Sequence, residues 1–189
     1  MAFEDYKTKE SLVIVYTGEG KGKTSAALGL MTRALGSRLN VAFIQFIKYW
    51  GVGEHVFIRD IMPLYKEQLH FYKGGKGFYK AGELSEKHIP NEKHEKAAQE
   101  TFIEALRCVT SGDYDIVICD EINNAAHDGL ISEKQLAELI DGRADNTSLC
   151  LTGRNFPKAL LGSVDIATNM TKLKHHFDEK FLANKGIDF

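Results

Sequence analysis

Proline is scarce in this sequence: three residues, at positions 63, 90 and 157, interrupt 189. With no Ser/Gly-rich linker either, residues 1–189 are predicted to form one domain without internal repeats. Cysteine is equally sparse, with Cys108, Cys119 and Cys150 far apart in apolar surroundings. An odd count at such spacing excludes a disulfide framework and a CxxC metal pair, and predicts reduced core thiols in a cytoplasmic protein. An excess of either charge is also missing, since 24 Lys and Arg face 26 Asp and Glu for a net −2. That balance argues against nucleic acid as the main partner. No apolar run approaches the ~20 residues of a membrane helix, and the polar start MAFEDYKTKE lacks the build of a secretory signal. The remaining expectation is a compact domain with a substantial core of its own.

What is present is a set of short apolar runs with helical stretches between them. Leu12–Tyr16, Val41–Phe46, Ile116–Cys119, Ser148–Leu151 and Val164–Ala167 are apolar at successive positions, and Leu69–Tyr72 is a weaker case. Runs without alternation suit parallel strands covered on both faces. Thr24–Leu35 places Ala27, Leu28, Met31 and Leu35 on one helical side with Gly36 as a stop. Asn91–Val109 is predicted as a second helix. Ser132–Ile140 opens with Ser132 and Gln135 at capping-box spacing. Strands and helices alternating at this pitch predict an α/β fold, a three-layer αβα sandwich around a mostly parallel sheet. Two stretches break the rhythm, Lys48–Glu54 and Tyr72–Leu84, both rich in glycine, lysine and aromatics. Together they read as loops able to cover a substrate.

The densest chemical signal is Thr17-Gly18-Glu19-Gly20-Lys21-Gly22-Lys23-Thr24, between the first predicted strand and the first helix. The general phosphate-loop pattern is G-x-x-x-x-G-K-[ST]; here its end matches, but Thr17 stands at its first glycine. Three glycines allow successive backbone N–H groups to turn inward as an anion nest, and the helix start adds its positive dipole end. Residues Gly18, Glu19, Gly20, Lys21, Gly22, Lys23, Thr24 and Ser25 are therefore the candidate phosphate cradle. Lys23 would reach the terminal phosphates, and the Thr24 hydroxyl would hold Mg²⁺. The run Asp115–Glu121 ends an apolar strand in two carboxylates, Asp120 and Glu121. Ligands of open parallel sheets lie beyond the carboxyl ends of the strands, so these two are candidates for the magnesium shell. Arg154 follows another predicted strand, where a guanidinium could reach a phosphate or form a surface ion pair. These elements predict a phosphate-loop NTPase core that binds a nucleoside triphosphate with magnesium.

The run TGEGKGKTSAALGLMTRALG, the following VAFIQFIK and the pair Gly53-Glu54 resemble the phosphate-loop type of ATP:corrinoid adenosyltransferase, in which threonine opens the loop. The resemblance continues through Ile116–Glu121, Gly129-Leu130-Ile131 and Leu151-Thr152-Gly153-Arg154, and closes with Lys174-His175-His176-Phe177 and Lys185-Gly186-Ile187-Asp188-Phe189. It implies a RecA-like phosphate-loop core that transfers the 5′-deoxyadenosyl group of ATP to the Co(I) of a reduced corrinoid, releasing triphosphate. It also implies ATP bound in the reverse sense to most phosphate-loop enzymes. Lys23, Thr24, Glu121 and Arg154 would serve catalysis, with Thr24, Asp120 and Glu121 at the metal. Aromatic residues under the corrin ring would be Phe78, Tyr79 and Trp50, ahead of Phe71 and Tyr72. A flavoprotein reductant and a homodimer are the further partners implied. The chain departs from the family pattern at Asn169 (usually Glu), at Lys180 (usually Gly), and after Gly77-Phe78, where Tyr79-Lys80 replaces a segment ending in tryptophan. Two other functions share the same motifs: a nucleotide or nucleoside kinase, and a non-enzymatic ATP-binding regulatory module.

Overall fold

The computed structural model describes residues 5–48, 51–77, 79 and 89–188. Six strands form one sheet: β1 (Val13–Thr17), β2 (Val41–Gln45), β3 (Leu69–Lys73), β4 (Ile116–Asp120), β5 (Ser148–Thr152) and β6 (Ile166–Asn169). Their spatial order is β3-β2-β4-β5-β1-β6, and every pairing is parallel. The sheet is thus wholly parallel, where the sequence predicted a mostly parallel one.

Among the described residues five α-helices cover it: α1 (Lys23–Gly36), α2 (Gly53–Ile61), α3 (Asn91–Ser111), α4 (Ile122–His127) and α5 (Glu133–Asp141). β1, β2, β4 and β5 are apolar at successive positions because each side feeds a different core, whereas β6 is exposed throughout. Val13, Val15, Ala42, Ile44, Val117 and Cys119 pack with α3, α4 and α5. Ile14, Val41, Phe43, Ile116, Ile118 and Cys150 pack with α1 and with Ile58 of α2. Fully burying each such large side chain stabilises the fold by about 1.5–3 kcal/mol. The three-layer arrangement follows from the two clusters on opposite faces. The three cysteines are buried and free, and burial raises their thiol pKa values, that of Cys108 to about 12.

Local rules set the helix ends. Ser132 and Gln135 form the predicted capping box at the start of α5. Gly112, at φ 74°, ends α3 in the left-handed conformation that favours glycine. Lys180 adopts φ 66° after a 3-10 turn over His176–Glu179. The backbone there keeps the glycine conformation although the residue is lysine. Replacing Lys180 with glycine should therefore stabilise the protein by up to about 1 kcal/mol, read as a higher midpoint in urea unfolding.

At the β3 edge, Glu104 of α3 accepts hydrogen bonds from Arg107 at 2.7 and 2.9 Å and lies 2.7 Å from His70 of β3. The Arg107 guanidinium, helped by His70 and against the opposing effect of burial, lowers the Glu104 carboxyl from 4.5 to about 2. A carboxyl depressed in the folded state stabilises the protein above its unfolded value, and that contribution is lost as pH falls. Stability should decline between pH 4.5 and about 2, and Glu104→Gln should flatten that slope in denaturant titrations at stepped pH.

Candidate functional site

The phosphate-loop sequence runs from the end of β1 into the first turn of α1. Gly18 and Gly22 adopt φ 98° and 106°, which a side chain would strain. Gly18 has a second constraint: a Cβ there would sit 2.5 Å from Asn169 Oδ1 and from the Met170 carbonyl oxygen. The segment after β6 braces the loop from this side. The amide of Gly20 donates to the Met170 carbonyl at 2.6 Å, and that of Met170 donates to the Thr17 carbonyl at 2.8 Å. Thr17, at the first position of the loop pattern, accepts a hydrogen bond from the Phe156 amide on its hydroxyl at 3.3 Å. A glycine could not make that tie to the turn after β5. The C-terminal motif reaches the loop as well, through an ion pair of Lys21 with Asp188.

Lys23 curls back across the loop, its ammonium donating to the carbonyls of Gly18 at 2.8 Å and Gly20 at 2.6 Å. Burial, reinforced by Arg154, lowers its pKa against the opposing pull of Glu121, Glu19 and Asp120. An ammonium held this way gains from an anion such as phosphate. Arg154, on the turn after β5, pairs with Glu19 at 3.0 Å, both side chains being exposed. The guanidinium is thus placed beside the loop. Ser25 is exposed on the first turn of α1.

β5 separates the strand that carries the loop from the strand that carries the acids, and Thr152 at its end joins the two. Its backbone is in register with Tyr16, while its hydroxyl donates to Asp120 Oδ1 at 2.7 Å and accepts from the Glu121 amide at 2.9 Å. Asp120 has no exposed surface. Its Oδ2 accepts from Gln45 at 3.0 Å and lies 3.4 Å from the Thr24 hydroxyl. Gln45 in turn meets His55 through its side-chain oxygen. Glu121 turns the chain with φ 62° before α4 and accepts from Asn124 at 3.0 Å. Burial and the adjacent Asp120 raise its carboxyl pKa, against the pull of Lys48 and Lys23. A hydroxyl and two carboxylates are hard oxygen donors of the kind magnesium takes, and the 3.4 Å between Thr24 and Asp120 is a span that one small cation can bridge.

The structure therefore gathers the loop, Lys23, Thr24, Asp120, Glu121 and Arg154 at one end of the sheet. Trp50 and Phe78 lie outside the described residues, as do residues 80–84 of the 72–84 stretch. Tyr79 is 7% exposed, within the core on the α3 side, with its ring 5.4 Å from that of His94. Phe71 packs against Phe43 and His55, and Tyr72 against the core on the other side of the sheet. Within the first of the two predicted loops, Gly53 and Glu54 instead begin α2.

Four side chains at this end lie within the sequence motifs, which by themselves assign them no individual role: Gln45, Thr152, Lys48 and Glu54. Lys48 forms an ion pair with Glu54 at 2.6 Å, lies 3.9 Å from Asp120 Oδ2 and 3.5 Å from the Thr24 hydroxyl. Burial acts to lower the Lys48 pKa, but Asp120, Glu121 and Glu54 outweigh it and the net shift is upward. The available signals were weak: a lone glutamine in an apolar strand, and an acid in the first turn of a short helix.

Residues 9–189 match the family described as ATP:corrinoid adenosyltransferase BtuR/CobO/CobP. Among similar proteins, the corrinoid adenosyltransferase of Pseudomonas aeruginosa is 28% identical over 184 residues, covering 97% of this chain and 86% of that protein. The Escherichia coli K12 corrinoid adenosyltransferase is 28% identical over 96% of this chain and 87% of its own length. CobA of Salmonella typhimurium is 30% identical over the same shares of the two chains, 96% and 87%. A solved structure, the flagellar accessory protein FlaH from Methanocaldococcus jannaschii, superposes with a TM-score of 0.53 at 14% identity, covering 85% of this chain and 71% of that one. The last likeness is one of fold.

Proposed function

The chain belongs to the ATP:corrinoid adenosyltransferase family BtuR/CobO/CobP, and on that premise we propose that its phosphate loop holds the triphosphate of ATP while the 5′-deoxyadenosyl group moves to the Co(I) of a corrinoid. The observation that carries this reading is the convergence of a glycine loop, Lys23, Thr24 and the Asp120-Glu121 pair at one end of the sheet, in a chain matched along nearly all its length by this family. The activity is that of a transferase with ATP and a corrinoid as substrates.

The chemistry asks little nucleophile activation of the protein, because the reduced cobalt of the substrate attacks the ribose 5′-carbon and triphosphate leaves. The residues serve positioning and charge stabilisation. Amides of the Gly18–Ser25 cradle would face the phosphates, apart from that of Gly20, which is held by the Met170 carbonyl. The Lys23 ammonium exchanges the carbonyls of Gly18 and Gly20 for phosphate oxygens, and Arg154 turns from Glu19 to the same anion. Thr24, Asp120 and Glu121 would hold Mg²⁺, which when bound neutralises charge developing on the leaving group. Phe78, Tyr79 and Trp50 are the aromatic residues proposed for the corrin ring; Tyr79, the one of them among the described residues, is buried.

Assignment of the whole of residues 1–189 to one domain, cytoplasmic location, a flavoprotein reductant and a homodimer belong to the same proposal; they rest on the family resemblance and composition. Among the described residues no helix is long and apolar enough to cross a membrane.

A kinase built on the same loop would release ADP. Phosphorus NMR of an anaerobic reaction with ATP, Mg²⁺ and reduced corrinoid decides between the two. Inorganic triphosphate appearing with corrinoid, and not without it, is the expected result; ADP as the phosphorus product would refute the adenosyl-transfer reading.

A further inference from the structure

Lys48 is a cation with only 17% of its side chain exposed, set among three acids and a hydroxyl. Glu54 holds it at 2.6 Å, and it stands 3.5 Å from the Thr24 hydroxyl and 3.9 Å from Asp120 Oδ2. Those two oxygens are themselves 3.4 Å apart. The ammonium thus borders the same pair of oxygens that would accept a divalent metal. The remaining Asp120 contacts are neutral hydrogen bonds, from Gln45 and Thr152, so Lys48 is the cationic side chain within 4 Å of Asp120 among the described residues.

Two anchors of unequal strength fix where that charge sits. Glu54 is a direct, charge-assisted hydrogen bond, while Asp120 is a longer contact. Glu54 begins α2, at the N-terminal turn, where the helix dipole favours its negative charge. It also feels the Lys48 ammonium strongly enough that its carboxyl pKa is lowered despite burial. The lysine can give up Asp120 without losing its main partner.

We propose that Lys48, anchored by Glu54, is a positioning residue that occupies the cation place at Thr24 and Asp120 and competes with divalent metal for it. A metal entering this place displaces the ammonium from Asp120. The lysine remains on Glu54, leaving its positive charge at the site alongside Lys23 and Arg154. The order of events is then built into the side chains: without metal Asp120 is neutralised and held in place, and with metal Lys48 is released from it. The inference rests on the reading that Thr24 and Asp120 take the metal. It is independent of which group ATP transfers.

The test is Mn²⁺ binding to the full chain without nucleotide or corrinoid, followed by electron paramagnetic resonance of the free ion. Lys48→Ala should bind Mn²⁺ at least tenfold more tightly than the unmodified protein, because a competing charge has gone. Glu54→Gln, which frees Lys48 to lean onto Asp120, should bind it more weakly. In the Lys48→Ala background the Glu54→Gln change should lose most of its effect, as it must if Glu54 acts through the lysine. A side chain that merely supports the fold would weaken binding in both single variants. Unchanged or weaker Mn²⁺ affinity in Lys48→Ala overturns the proposal. If that variant does not fold, an undiminished Mn²⁺ affinity in Glu54→Gln overturns it equally. Triphosphate production by the unmodified protein is scored separately, so a failed transfer reaction and a failed metal competition remain distinguishable.

Discussion

Lys23→Ala is expected to lower ATP affinity at least a hundredfold, about 2.7 kcal/mol, with the fold retained. The size follows from what the lysine does. It is the charged donor inside the loop, within 2.8 Å of two carbonyls that the phosphates would replace as acceptors. A charge-assisted hydrogen bond is worth roughly twice a neutral one, and the ammonium would make more than one. Retention of the fold is expected because the loop has its own braces, the Gly20–Met170 and Met170–Thr17 backbone bonds and the Thr17–Phe156 tie. Isothermal titration with ATP and Mg²⁺ measures the effect. Affinity within tenfold of the unmodified protein would show that the phosphates do not sit on this loop.

Asp120→Ala should be damaging in a different way, costing about 3–5 kcal/mol of stability as well as activity. The carboxylate is fully buried and serves as acceptor for Gln45 and Thr152, with Lys48 beside it. Removing one partner of a buried charged network leaves the others without compensation, and this costs more than the pair contributed. Lys48 would keep Glu54, while Gln45 and Thr152 would each lose an acceptor. Asp120→Asn preserves most of the shape and should retain more stability than the alanine variant while still losing the metal-binding charge. Urea unfolding of both variants, read beside triphosphate production, separates the structural share from the functional one. An alanine variant as stable as the parent would mean that the network is not a structural element.

Much of this architecture was legible in the sequence, for identifiable reasons. The β1, β2, β4 and β5 strands are buried on both faces, so their apolar runs had no competing period. The loop and the acids at the end of β4 could be placed together because a parallel sheet collects its strand ends on one side. The α2 and α4 helices were not legible. The first follows glycine-rich sequence, and the second has six residues, too few to show a period. Lys48 was hidden for another reason: its partners lie on α1, α2 and β4, and only the folded sheet brings them within 4 Å of it. Tyr79, a candidate for the corrin ring from the resemblance, has its ring against His94 inside the α3 layer, a placement that its glycine- and lysine-rich stretch does not disclose. Lys180 shows the converse. Its departure from glycine was visible in the sequence, and the structure adds that the backbone still takes the left-handed turn.

The central claim, adenosyl transfer from ATP to a corrinoid, is most directly tested by anaerobic incubation of the protein with ATP, Mg²⁺ and chemically reduced cobalamin, followed by absorption spectroscopy before and after illumination. The expected result is a product with a light-sensitive Co–C bond, formed in proportion to protein and missing with Lys23→Ala. Absence of that product with complete cobalamin and with incomplete corrinoids alike, from protein shown to bind ATP, would contradict it.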